Sequence, residues 1–242
     1  MHPAPYRLTR AVLALALVAV TAGVPHAAER TRSGDRYWTA PDIADYPITA
    51  IAMLPPATYD GSVENRRLVE NAVGQALRGS GYRWASSFLI RDYLLKNGGD
   101  ELLASVNESI LKAPRVDSLQ APELSRILRT RGLLAVRVDQ MERRELEVGQ
   151  SGRPTTTIQL RAALVDSTGR LLWTAQSTET LEGQQQDADA NVLGVKASGL
   201  NNQAIGVTTS APPFQEVLAK IGARWKEAFP KRALPDSTRR TP

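Results

Sequence analysis

The chain has 242 residues, with 30 Lys and Arg against 25 Asp and Glu, two histidines and no cysteine, for a formal net charge of +5. The missing cysteine excludes disulfides, thiolate metal sites and a lipid-bearing N-terminal cysteine. No basic block is interleaved with aromatics, so nucleic acid is not indicated as a partner.

Residues 1–28 read as a secretory signal peptide. Arg7 and Arg10 precede the small, apolar run Ala11 to Val24, and Ala27 and Ala28 offer a small-residue cleavage point. That run is about 14 residues, short of the roughly 20 that span a bilayer. Both histidines, His2 and His26, lie inside this segment. Cleavage leaves about 214 residues, one domain's worth, with a net charge near +3. A mature chain without His or Cys cannot build Ser–His–Asp triads, Cys–His dyads or imidazole metal sites. No cofactor and no metal are expected.

Residues 29–46 are polar and irregular and are expected to form a poorly ordered, extended leader. The domain is expected over residues 47–230. Ile48 to Leu54 is apolar and stopped by Pro55-Pro56, a buried strand. Asp60-Gly61-Ser62 is a turn, with Ser62 placed to cap a helix carrying Val69, Ala72, Val73, Ala76 and Leu77. Tyr82 to Ala85 is a short strand. Ser86 or Ser87 can cap a helix through Leu94, closed by Gly98-Gly99, and Asp100 to Leu111 is a further helical stretch. Pro122 suits the first turn of a helix that ends at Gly132.

Leu133 to Val148, Thr155 to Val165 and Leu171 to Thr180 then read as an antiparallel meander. The second shows Ile158, Leu160 and Ala162 alternating with Gln159 and Arg161. Asp166 to Arg170 is a tight turn with Gly169 at a left-handed position. Residues 183–213 are a polar insert rich in Gln, Ala, Asn, Gly and Thr, long for a plain connection. Pro213 to Phe229 carries Phe214, Val217, Leu218, Ile221, Trp225 and Phe229 on one helical stripe. Residues 231–242 are polar, basic and proline-containing and are expected to form a disordered tail. The fold class is therefore α/β in the α+β sense: one mixed sheet, with an antiparallel meander in its C-terminal half and helices packed on it.

Three segments, taken with the run RGLLAVRVDQ (Arg131 to Gln140), carry a family resemblance: IAMLPP (Ile51 to Pro56), GSGYRW (Gly79 to Trp84) and LVDSTGRLLWTAQ (Leu164 to Gln176). In that order they resemble the periplasmic domain shared by the CsgG-like secretion channels and the LpoB-like activators of penicillin-binding proteins, with a likeness in shape to the N-terminal domain of TolB. The resemblance spans about Ile48 to Phe229. It implies an envelope protein that binds and assembles rather than catalyses, with envelope proteins or its own copies as partners. This chain lacks the lipobox cysteine, so peripheral membrane contact without a lipid anchor is the expectation. A ring-forming outer-membrane secretion component, an activator of a peptidoglycan synthase and a carboxylate-dependent cell-wall hydrolase stay open as alternatives.

Few residues invite a functional reading. Asp166, Gly169 and Trp173 are expected to be a structural motif, with Asp and Gly shaping the hairpin and Trp packing on the next strand. Glu142, Arg143, Arg144, Glu145 and Glu147 are expected to be solvated charge at the end of a hairpin, with Glu145 and Glu147 on one face as the nearest pair for acid–base work. Trp225 and Phe229 are expected in the core. The insert at 183–213 is the candidate contact surface.

Overall fold

The computed structural model describes residues 31–147, 150–185 and 210–232. The signal peptide, most of the insert and the tail lie outside the described residues. In chain order the elements are β1 (Thr31–Thr39), a single 3-10 turn (Ile43–Asp45), β2 (Ala50–Met53), β3 (Ala57–Thr58), α1 (Val63–Leu77), β4 (Arg83–Ala85), α2 (Ser87–Lys112), α3 (Ala121–Leu128), β5 (Gly132–Arg144), β6 (Thr155–Asp166), β7 (Leu171–Glu182) and α4 (Phe214–Ala228).

The strands form one mixed sheet in the order β1-β7-β6-β5-β2-β4, with β3 pairing β5. β5 divides it. On one side β2 and β4 run parallel, as βαβ connections require. On the other, β5, β6, β7 and β1 are all antiparallel. The expected meander is present.

β1 corrects the reading of residues 29–46 as a poorly ordered, extended leader. Thr31 through Thr39 pair with β7 at nine successive positions. An edge strand buries little and needs no apolar alternation, so its polar sequence gave no periodic cue. A second difference concerns the helix expected to reach Gly132. α3 stops at Leu128, Arg129 takes a left-handed conformation (φ 51°), and Gly132 already opens β5.

Helices cover the two faces unequally. α1 and α4 cover one face, where Val69, Val73 and Leu77 of α1 and Val217, Leu218, Ile221 and Trp225 of α4 pack on Ile51, Leu134, Val136, Ile158 and Leu160. Trp173 sits beneath α4, edge-on to Trp225 (5.9 Å, 84°) and Phe229 (4.9 Å, 72°). Such pairs add about 0.5–1.5 kcal/mol each beyond the area they bury. Their polar ends are satisfied: Trp173 Nε1 donates to Ala228 O (3.1 Å) and Trp225 Nε1 to Ser177 Oγ (2.8 Å).

α2 and α3 cover the opposite face, but only over the parallel half and the adjoining end of β6. Ile90, Leu94, Val106, Ile110 and Leu124 pack on Ala52, Leu54, Leu133, Ala135 and Val165. α2 breaks at Gly99 (φ 64°, ψ −163°), a conformation that side-chain-bearing residues avoid. Its C-terminal carbonyl at Leu111 accepts from Tyr59 Oη (3.1 Å) and from Arg137 Nη1 (2.8 Å), so a positive charge meets the negative end of the helix.

Candidate functional site

The unequal cover leaves one broad feature, the second face of β1, β7 and outer β6. Buried residues alternate along β7 with the partly exposed Thr174, Gln176, Thr178 and Thr180. Along β6 the same holds for Thr155, Thr157, Gln159 and Arg161. The ladder aligns these into rows: Thr157 opposite Thr180, Gln159 opposite Thr178, Arg161 opposite Gln176. Thr157 and Thr180 hydroxyls bond across the strands at 3.0 Å. No helix among the described residues packs on this area.

At the inner end the face deepens into a groove of about 520 Å³. One wall is Ala113-Pro114-Arg115, the chain leaving α2; the other is Arg36 and Trp38 of β1, and the floor is Ala163, Thr174 and Gln176. Trp38 is 46% exposed. Arg161 reaches Asp139 Oδ2 at 2.7 Å, and Asp139 Oδ1 also holds Arg137 at 2.6 Å. Asp139 sits at a β-bulge, where the register of β5 against β6 slips between Val138 and Gln140. The extra residue brings one carboxylate between two guanidinium groups.

The residues singled out from sequence fall elsewhere. Asp166 closes the β6–β7 turn: its Oδ1 accepts from Thr168 N (2.8 Å), Thr168 Oγ1 (2.6 Å) and Arg170 N (3.0 Å). Gly169 has φ 84°, and a Cβ there would lie 2.4 Å from Ser118 Cα. Arg170 turns back to Asp42 (2.6 Å) and stacks on Tyr46, locking the turn to the end of β1. Trp173 is the core residue described above. The three residues share a segment but no cavity.

The charged run is likewise spent on structure. β5 ends at Arg144, so Glu145 and Glu147 are not on a strand and do not form the same-face pair expected. The chain leaves the ladder there to make its turn. Glu145 Oε2 accepts from Ala211 N (2.7 Å), Arg143 Nη2 donates to Ala211 O (2.7 Å), and Arg143 and Glu145 pair at 2.9 Å. Together they grip the peptide that leads into α4. Glu147 instead meets Gln150. Of the insert, only residues 183–185 and 210–213 are described, and the rest of that candidate surface lies outside them.

A buried charge cluster ties β1 to α4. Glu179 of β7 is fully buried, and Arg224 of α4 reaches its Oε2 at 2.7 Å and Asp35 Oδ2 of β1 at 2.6 Å. Burial opposes the Arg224 charge, but Asp35 and Glu179 outweigh it and hold the guanidinium above its ordinary pKa. Burial raises the neighbouring Tyr37 phenol, partly offset by its bond to Ser177. This cluster faces inward and serves cohesion.

No protein-family model matches the chain. No curated protein matches it either. Solved structures with a similar arrangement include a PelC dodecamer from Paraburkholderia phytofirmans, 16% identical, covering 81% of this chain and 98% of that one at a TM-score of 0.39. Lipoprotein GNA1162 from Neisseria meningitidis is 20% identical, covering 64% of this chain and 96% of that one at a TM-score of 0.41. The hypothetical protein CT253 from Chlamydia trachomatis is 13% identical, with 75% and 97% covered and a TM-score of 0.38. These are likenesses of outline, below the level at which function transfers.

Proposed function

We propose that this chain is an exported, non-catalytic protein of the bacterial envelope, an assembly or secretion accessory of CsgG/LpoB-like type that works by binding. The observation that carries the reading is the one-sided cover of the antiparallel half-sheet. Its open face is long, polar and threonine-rich, and no helix among the described residues covers it. The signal-like N-terminus and the three family-like segments support an envelope compartment.

Site-specific photo-crosslinking tests this in cells expressing the full chain. A crosslinking residue at Gln159 or Thr178 is expected to trap discrete high-mass adducts, and one at Lys96 on α2 is not. Open-face positions that trap nothing would sink the reading, as would enzyme-like turnover of a cell-wall substrate by the purified protein.

Self-association is the second reading, favoured by the two edges of the sheet, β1 and β4, which no other strand among the described residues pairs. Light scattering on the mature protein discriminates: a stable large oligomer supports it, and a monomer at high concentration removes it.

A further inference from the structure

We propose that the groove between β1 and the α2–α3 connection binds an acidic polysaccharide, a chain whose sugar rings bear carboxylates. The inference rests on reading the open face as a binding surface and names the ligand for its deepest part.

Charge comes first. Arg36, Arg115 and Arg161 all line the groove, and no carboxylate among the described residues does. They converge from distant parts of the chain: β1, the exit of α2, and β6. The guanidinium groups of Arg36 and Arg115 make no hydrogen bond or ion pair among the described residues. Asp139, the acid that holds Arg161, is already shared between Arg137 and Arg161. Two unengaged guanidinium groups facing a third on a rigid sheet form a positive concavity that asks for an anion. Arginine's planar fork fits a carboxylate through two parallel bonds.

Spacing comes second. Arg36, Gln176 and Arg161 stand in one row across β1, β7 and β6. Two strand spacings put the arginines of that row about 10 Å apart at the backbone. Trp38, Thr174 and Ala163 form the parallel row, about 7 Å further along the strands. The small floor residues leave the half-exposed indole standing beside the groove as a flat apolar surface. The C–H face of a sugar ring can lie on it while the ring's carboxylate meets an arginine.

Donor balance separates a glycan from a peptide. Arginine donates only, and three arginines dominate the polar groups here. Gln176 and Thr174 are the side-chain acceptors. The backbone of β6 and β7 is already paired on both sides, so the floor has no free strand edge for a peptide to extend. A peptide would bring N–H groups with few acceptors to meet them. A hydroxylated acid brings acceptors, and its hydroxyls can also accept.

The test is calorimetric titration of the mature protein with hexagalacturonate, maltohexaose and hexaglutamate at low salt. Hexagalacturonate is expected to bind, more weakly as salt rises from about 50 to 200 mM, and maltohexaose is not. The double variant Arg36→Gln, Arg115→Gln should weaken binding by about 10-fold or more. Trp38→Ala should weaken it by about 5-fold and abolish any ligand-induced change in tryptophan fluorescence. These side chains are exposed, and thermal melts of the variants should match the parent. Absence of hexagalacturonate binding, equal binding of maltohexaose, or variants that bind like the parent would each overturn the proposal. Hexaglutamate binding as tightly, with no dependence on Trp38, would overturn it in favour of an acidic peptide. Specific cross-links from the open face without hexagalacturonate binding would remove this proposal and leave the proposed function standing.

Discussion

Replacing Arg224 with Met strips the counter-charge from the most deeply buried acid among the described residues. Glu179 is fully buried, and its carboxylate meets Arg224 at 2.7 Å. Its other oxygen, Oε1, is buried without a hydrogen-bond partner. Removing one member of a buried pair costs about 3–5 kcal/mol, because the remaining charge is left uncompensated. The Arg224 side chain is 27% exposed, so solvent screens part of the interaction and the expectation is the lower end, about 3 kcal/mol. Against a total stability of about 5–15 kcal/mol this is a large fraction. With a urea m-value of about 2–3 kcal/mol/M, the midpoint should fall by about 1–1.5 M. The same substitution releases Asp35, so β1 amides should lose hydrogen-exchange protection before those of β6. Glu179→Gln alone should cost less, since Arg224 keeps Asp35. Glu179→Gln with Arg224→Met should cost less than the sum of the two singles. A loss below about 1 kcal/mol for Arg224→Met, or strict additivity in the cycle, would refute the assignment of Arg224 as the compensating charge.

Gly169→Ala should lower stability by about 1–3 kcal/mol, through the positive φ and the collision with the Ser118 backbone, read as a drop in melting temperature. Asp166→Ala removes the acceptor of three bonds in the same turn and should cost about 2 kcal/mol in urea unfolding. Burial raises the pKa of Tyr37 and Tyr82 above the ordinary tyrosine value. Both fold as neutral phenols, so their contribution is intact below about pH 10 and is lost as pH rises through the folded values. Absorbance at 295 nm should show a late-titrating fraction that shrinks in Tyr37→Phe.

The sequence disclosed those elements that bury one face and expose the other. β6 and β7 alternate because their inner residues meet α4 and their outer residues meet water, so Ile158 and Leu160 stand out against Gln159 and Arg161. The caps and punctuation were legible for a similar reason. Ser62 accepts from Asn65 N at 3.2 Å, and the Gly98-Gly99 pair marks a real break in α2. β1 was illegible because an edge strand with exposed side chains carries no periodic signature. Trp38 was the available hint, a large aromatic in a polar stretch. The groove was harder still. Arg36, Arg115 and Arg161 lie far apart in sequence, and only the ladder register and the exit of α2 bring them together. Glu145 misleads for the opposite reason: the charged pattern runs on past Arg144, where the ladder stops.

The division of the sheet at β5 also sets how freely the sequence can change. From Gly132 to Val138 the strand is buried on both faces, and apart from Arg137, which its own partners satisfy, no position there accepts a polar substitution cheaply. Beyond it, along β6 from Thr155 to Arg161 and along β7 from Thr174 to Glu182, every second residue faces away from the core. Substitutions at such surface positions typically stay within about 0.5 kcal/mol. One half of the molecule is thus held to its composition by folding. The other carries a face that can drift, acquire new contacts and specialise in different lineages while the fold beneath it stays the same.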